Sequence, residues 1–232
     1  MNKAVYHIKM TLQKSIFVIT ALIALMMYFA GSPDLAAQTT QTGAQIVWMD
    51  NPDEVIIRDK NGTLIQAELS LMIESESVVQ TAKSRAEIVL VPNGSVIIID
   101  NNTTFRIDSL QSAISNEKNN GNAFSLILGK FRLVAARVIG ASYSVRTPTA
   151  VAGVRGTDFY RMYDPAAEKD WLCVTEGAVQ LYSPKGNEEV LVPAGFFVNL
   201  NNGFQTAQPD KEWLTSNLTL NNIQRAVLPQ NR

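Results

Sequence analysis

Ala86-Glu87-Ile88-Val89-Leu90-Val91-Pro92-Asn93-Gly94-Ser95-Val96-Ile97-Ile98-Ile99 is the stretch that decides the fold class. Two aliphatic, β-branched runs, Ala86 to Val91 and Val96 to Ile99, flank an Asn-Gly corner. Glycine supplies the positive φ that a tight corner between strands needs. The same form recurs at Leu128-Gly129-Lys130-Phe131, Thr175-Glu176-Gly177-Ala178-Val179 and Pro193-Ala194-Gly195-Phe196.

Upstream, Ile46 to Met49, Val55 to Arg58 and Ser77 to Thr81 read as strands. Downstream the same holds for Phe124 to Leu128, Phe131 to Ala135, Tyr143 to Arg146, Asp158 to Tyr163, Trp171 to Thr175, Ala178 to Tyr182, Glu189 to Val192 and Phe196 to Leu200. Asn, Gly, Pro and Asp separate these segments, a pattern that predicts an all-β domain. No strict repeat period exists, so an irregular β-solenoid and a set of stacked hairpins both remain open. Asn116 to Asn122 predicts an exposed loop dividing the domain into two lobes.

The ends differ from this middle. Lys3, Lys9 and Lys14 precede an almost wholly apolar run from Ile16 to Ala30, the pattern of a secretion signal, with cleavage expected near Ala37. An uncleaved anchor is the alternative, and only in that case would the chain touch a membrane; either way the lysines keep the N-terminus inside. The expected organisation is a signal peptide over 1–37, a flexible lead-in over 38–44, the β domain over 45–203 and a tail over 204–232. In that tail Pro209-Asp210 would open a short helix carrying Trp213, Leu214, Leu218 and Ile223.

Composition narrows function by exclusion. Apolar residues make up 46% and charged residues 18%, values of a chain that folds. The net charge is -1, and removing residues 1–37 leaves 17 basic and 20 acidic side chains. Without a basic stripe, nucleic acid is not an expected partner. One histidine, His7, and one cysteine, Cys173, cannot supply the usual zinc cluster or a His-activated nucleophile, so no metal, cofactor or enzymatic role is expected. Cys173 lies in the alternating stretch Trp171-Leu172-Cys173-Val174 and reads as a buried structural thiol.

The densest pattern is Ser144-Val145-Arg146-Thr147-Pro148-Thr149-Ala150-Val151-Ala152-Gly153-Val154-Arg155-Gly156-Thr157-Asp158-Phe159. Pro148 has no N–H for a ladder, so the chain around it must run along an edge or turn. Gly153 and Gly156 suggest a sharp bend or a close approach. Arg155 between them has five donors for carbonyls and a carboxylate such as Asp158 or Glu176, or for an anionic ligand.

This segment resembles the FecR-like domain, whose hallmark is Thr-Pro-x-Ala leading into Val-Arg-Gly-Thr-x-Phe, then a Glu-Gly-x-Val turn and an Ala-Gly turn. Here these are Thr147-Pro148-Thr149-Ala150, Val154 to Phe159, Glu176-Gly177-Ala178-Val179 and Ala194-Gly195. Upstream, Val79-Gln80-Thr81, Ser84 to Leu90 and Asn93-Gly94-Ser95 also match, so the resemblance spans about 45 to 203. A departure falls at Glu76 to Val78, where the family places Gly-Asp.

The resemblance implies a periplasmic receiver domain of the iron-dicitrate regulator family. Only 15 residues precede the apolar run, so the cytoplasmic part that holds a sigma factor is not expected. The function expected is a non-enzymatic, periplasmic or secreted interaction module of the bacterial cell envelope with a protein partner. A small-anion or glycan binder, using Arg146, Arg155 and the aromatics Tyr143, Phe159, Tyr160 and Trp171, is the alternative. Arg146, Arg155, Asp158 and Tyr160 are the candidate binding residues; Thr147, Pro148, Gly153, Gly156, Thr157, Gly177 and Gly195 are the structural motif. Asp158 and Glu176 are the one carboxylate pair that a glycosidase would have to use.

Overall fold

Alternation of apolar and polar side chains along most segments builds strands that bury one face each. The computed structural model describes residues 42–111 and 121–209. Along them run β1 (Gly43–Met49), β2 (Val55–Arg58), β3 (Leu64–Gln66), β4 (Met72–Ile73), β5 (Ser77–Thr81), β6 (Ala86–Val91), β7 (Val96–Ile99), β8 (Thr103–Ser109) and β9 (Asn122–Val134). There follow β10 (Tyr143–Arg146), β11 (Val151–Val154), β12 (Asp158–Asp164), β13 (Lys169–Glu176), β14 (Ala178–Tyr182), β15 (Glu189–Pro193), β16 (Phe196–Asn199) and β17 (Gln208–Pro209). Two short 3-10 turns, Pro52–Glu54 and Leu200–Asn202, are the described helical elements.

The pairings resolve into two sheets. Sheet A runs β4-β1-β6-β7-β9-β12-β13-β16-β17. Sheet B runs β3-β2-β5-β8-β9-β10-β11-β14-β15. Successive hairpins alternate between them: β6–β7 in A, β10–β11 in B, β12–β13 in A, β14–β15 in B. All these pairings are antiparallel except β9–β10, whereas stacked coils of a solenoid pair their strands in parallel.

Strand β9 belongs to both sheets. Its first half pairs with β8 and β10, its second with β7 and β12. The crossing is at Gly129, φ 100°, where a Cβ would lie 2.6 Å from Thr103 Cα. Only glycine fits there. The sequence pattern placed a turn at Gly129 between two strands; the structure has one continuous strand that bends.

The two inner faces form one core cluster reaching from Ala44 to Leu200. Rings link the sheets across the bend: Phe124 to Phe105 at 5.6 Å, Phe105 to Phe131 at 5.1 Å and Phe131 to Phe159 at 5.8 Å. The expected division into two lobes therefore does not hold in the core, because β9 carries it past the 112–120 segment without a break. Asn122, expected at the end of that loop, opens β9 and is buried. The segments 1–41, 112–120 and 210–232 lie outside the described residues, and with them the signal peptide, most of the loop and the C-terminal helix.

Candidate functional site

The Thr147-Pro148-Thr149-Ala150 segment is the turn of the β10–β11 hairpin, with Arg146 opposite Val151 at its base. Pro148 is exposed there, as a residue without an N–H should be. Thr147 N donates to Ala150 O at 2.9 Å. The Thr147 hydroxyl accepts from Ala150 N at 3.2 Å and lies 3.0 Å from the Thr149 hydroxyl. Both hydroxyls thus turn inward, from a buried Thr147 and an exposed Thr149.

What they meet is a buried ion pair in sheet A. On β12, Phe159 and Arg161 share the inward phase, and Arg161 is 1% exposed. Its Nη2 donates to Thr147 Oγ1 at 2.8 Å and approaches Asp170 Oδ1 on β13 at 2.5 Å. Thr149 Oγ1 donates to Asp170 Oδ2. Burial pushes Asp170 above the usual carboxylate range, with the guanidinium partly offsetting this. The same burial pulls Arg161 below the ordinary arginine value. The hallmark turn of sheet B therefore solvates a charge pair of sheet A, where an unsupported pair would cost several kcal/mol per ion. Nη1 of Arg161 has no hydrogen-bond partner among the described residues.

The four binding candidates are not brought together. Arg146 ends β10, exposed on the outer face of sheet B. Arg155 is exposed on the β11–β12 connection and makes no hydrogen bond or ion pair among the described residues. Asp158 faces outward on sheet A, held by Arg132 in a two-pronged contact of 2.8 and 2.6 Å. Tyr160, 2% exposed, packs with Ile98 and Cys173, and the Arg132 guanidinium lies 5.0 Å from its ring centroid. Burial raises the Tyr160 phenol to about 12. Burial alone would lower the Arg132 pKa, but Asp158 more than offsets it and holds the guanidinium above its ordinary value.

The tie expected of Arg155 is made by other arginines. Asp158 pairs with Arg132 and Glu176 with Arg137, because strand register brings β9 beside β12 and leaves Arg155 on a turn. Asp158 and Glu176 are directly opposite on adjacent strands, not on two sides of a cleft, and each is occupied by its own arginine. The aromatic pocket does not form either. Tyr143 and Phe159 are core residues, while Tyr160 and Trp171 lie on the outer side of sheet A. Tyr143 instead shares a 2.6 Å hydrogen bond with Ser95 Oγ, which also accepts from Ala136 N at 2.9 Å. Cys173 is fully buried.

The motif glycines divide by role. Gly156, Gly177 and Gly195 have φ of 60°, 82° and 79°. Gly153 does not bend the chain: it is a strand residue of β11 whose open surface lies under the Tyr182 ring, where a Cβ would be 3.6 Å from Cε2. Thr157 is buried beside Gly177. Sequence reasoning missed Arg161, although an arginine two residues after an inward Phe159 falls in the core phase of the strand.

An all-β scaffold of alternating hairpins, tied between its sheets by a threonine-capped arginine–aspartate pair, is the class of domain that these features define. Residues 77–180 match the FecR protein family, and the chain carries a FecR-like domain. Among solved structures, two crystal structures of a candidate anti-sigma factor from Parabacteroides distasonis ATCC 8503 are similar at 16% and 17% identity, each with a TM-score of 0.47. They cover 60% and 59% of this chain and 62% and 61% of those chains, so the match spans about three-fifths of the solved proteins. No curated protein matches the sequence.

Proposed function

We propose that the chain is a non-enzymatic, exported interaction module of the bacterial cell envelope, acting in signalling or surface assembly through a protein partner. The FecR-like domain supports a signalling role. In this reading residues 1–37 are the export signal, 45–203 the receiving domain and 204–232 a tail.

The observation that carries the reading is an open sheet edge. β15 pairs with β14 and has no second neighbour among the described residues, while Leu191 in its middle is 55% exposed. A row of unused main-chain groups beside an exposed leucine suits addition of a partner strand. Arg155, exposed and unengaged, is the accessible charge for an anionic group on that partner. Arg146 is equally accessible, whereas Asp158 and Tyr160 serve by holding Arg132 in place.

The test is cross-linking in cells of a C-terminally tagged chain, followed by capture and mass spectrometry, with Leu191→Pro and Arg155→Ala alongside. A reproducible envelope protein that is lost with Leu191→Pro and weakened with Arg155→Ala is the expected result. Recovery of folded protein without any partner would overturn it.

A further inference from the structure

Register across sheet B places one line of outward side chains at right angles to the strands. Arg58 is opposite Val78, Val78 opposite Arg106, and Arg106 opposite Ser125. Ser125 is beside Arg146, Arg146 opposite Val151, and Val151 opposite Tyr182. Their neighbours along each strand, among them Ile57, Val79, Phe105, Phe124, Val145 and Leu181, are core residues, so this line lies on the outer face of sheet B, with Ser125 buried beneath its neighbours.

Recognition groups therefore recur on every second strand: Arg58 on β2, Arg106 on β8, Arg146 on β10 and Tyr182 on β14. Two strand spacings make the interval about 10 Å. Arg58 and Arg146 are exposed, Arg106 has a side chain 47% exposed, and Tyr182 is 46% exposed. Only small or flat positions, Val78, Ser125 and Val151, lie between them.

We propose that this face binds a linear acidic glycan of the uronic acid type, laid across the strands with carboxylates on the arginines and a sugar ring on Tyr182. The direction of the row argues for a glycan over a peptide. A peptide that adds to a sheet lies parallel to the strands at an edge, where main-chain groups are free; across the middle of a sheet they are consumed by the ladders. An extended polysaccharide needs none of them, since its charges and hydroxyls project from the sides of the chain.

The ends of the row have defined chemistry. Tyr182 lies over Gly153, leaving a flat apolar surface level with the sheet, a form suited to the C–H face of a pyranose. Arg106 is oriented by its ion pair with Asp108, whose other oxygen accepts from Ser125 Oγ at 2.6 Å. Arg58 donates to Gly62 O at 3.4 Å, while Arg146 makes no ion pair among the described residues. Glu189, opposite Tyr182 on β15, places a negative charge past the aromatic end and disfavours an acidic sugar there. The row is thus cationic at one end and stacking at the other, which gives a bound strand one direction.

Arg146 is shared with the partner reading, but edge addition at β15 and glycan binding across sheet B are read by separate assays, so either can fail alone. The test is calorimetric titration of the purified chain with galacturonate oligomers of increasing length, with neutral cello-oligosaccharides and a polyglutamate peptide as comparators. Affinity is expected to rise with length until the oligomer spans Arg58 to Tyr182, and to fall with added salt. Arg146→Ala should weaken binding about tenfold or more, the scale of one lost charged hydrogen bond. Tyr182→Ala should also weaken binding, whereas Lys169→Ala, an exposed cation on β13 of sheet A, stays within about twofold. Unchanged thermal melting of Arg146→Ala separates lost contact from lost fold. Equal binding of neutral sugars, equal or tighter binding of polyglutamate, an effect of Lys169→Ala as large as that of Arg146→Ala, or no binding at any length would each overturn the proposal.

Discussion

Sheets A and B are built from the same hairpins and the same alternation, yet most of the buried charge pairs belong to sheet A and the exposed strand arginines unpaired among the described residues to sheet B. On sheet A three ion pairs are enclosed: Arg161 with Asp170 inside, Arg132 with Asp158 and Lys130 with Asp100 outside, the last at 2.7 Å. On the outer face of sheet B, Arg106 is paired with Asp108 at the surface, while Arg58 and Arg146 stand in solvent. The difference separates charge that holds the fold from charge available to a ligand. Fixed pairs in a poorly hydrated setting resist exchange, whereas an exposed arginine keeps its donors for a newcomer.

The largest test of that division is the buried pair. Asp170→Ala leaves Arg161 charged and uncompensated between the sheets, and should cost about 3–5 kcal/mol in chemical denaturation. The double change Arg161→Met with Asp170→Leu removes both charges and should recover most of that loss. A single-variant cost under about 1 kcal/mol would mean that the hallmark turn does not depend on the pair, and the comparison would break on the sheet A side.

Next in size is an alkaline effect on the outer side of sheet A. Burial raises the Tyr160 phenol to about 12, against about 10 in an unfolded chain. The folded state then holds its proton while the unfolded state releases it, so stability is fully present below about pH 10 and falls as pH rises toward 12. The loss should approach about 3 kcal/mol. Tyr160→Phe should flatten that part of the curve. An ultraviolet titration that finds every tyrosinate forming near pH 10 would show this face to be as open as sheet B.

A smaller effect sits where the chain crosses from β4 of sheet A to β5 of sheet B. Glu76 there has φ 65°, a left-handed conformation at the point where the sequence departs from the glycine usual in the FecR-like pattern. That conformation costs a non-glycine residue about 1–2 kcal/mol, while glycine loses part of the gain through unfolded-chain entropy. Glu76→Gly should therefore stabilise the domain by about 0.5–1 kcal/mol. Destabilisation would show that the Glu76 side chain itself holds the crossing.

How far the sequence was legible follows the same lines. β2, β5, β10 and β14 fall where their alternating apolar runs stand, because local alternation sets them. β8 was missed although Phe105 and Ile107 alternate with Thr104, Arg106 and Asp108, since its outward positions are all polar. β11 was missed because Gly153 reads as a bend until Tyr182, far along the chain, is laid over it. Arg161 was missed because its partners lie on a different hairpin and on the next strand; only the phase set by Phe159 hints at burial. Arg146 could be picked out as a candidate, but the row it belongs to is a product of register, and register across seven strands is not written in any one segment.

The smallest expected effect is the sharpest for sheet B. If its outer arginines are held for a ligand, removing one should leave the fold almost untouched, because nothing described leans on it. Arg146→Ala should change unfolding free energy by no more than about 0.5 kcal/mol, as ordinary surface substitutions do. Arg132→Ala, on the outer side of sheet A, leaves Asp158 without its two-pronged partner and Tyr160 without its cation, so it should cost about 1–3 kcal/mol. Equal costs at the two positions would erase the contrast: an expensive Arg146 would belong to the structural charges, and a free Arg132 would move the outer side of sheet A among the surfaces open to partners.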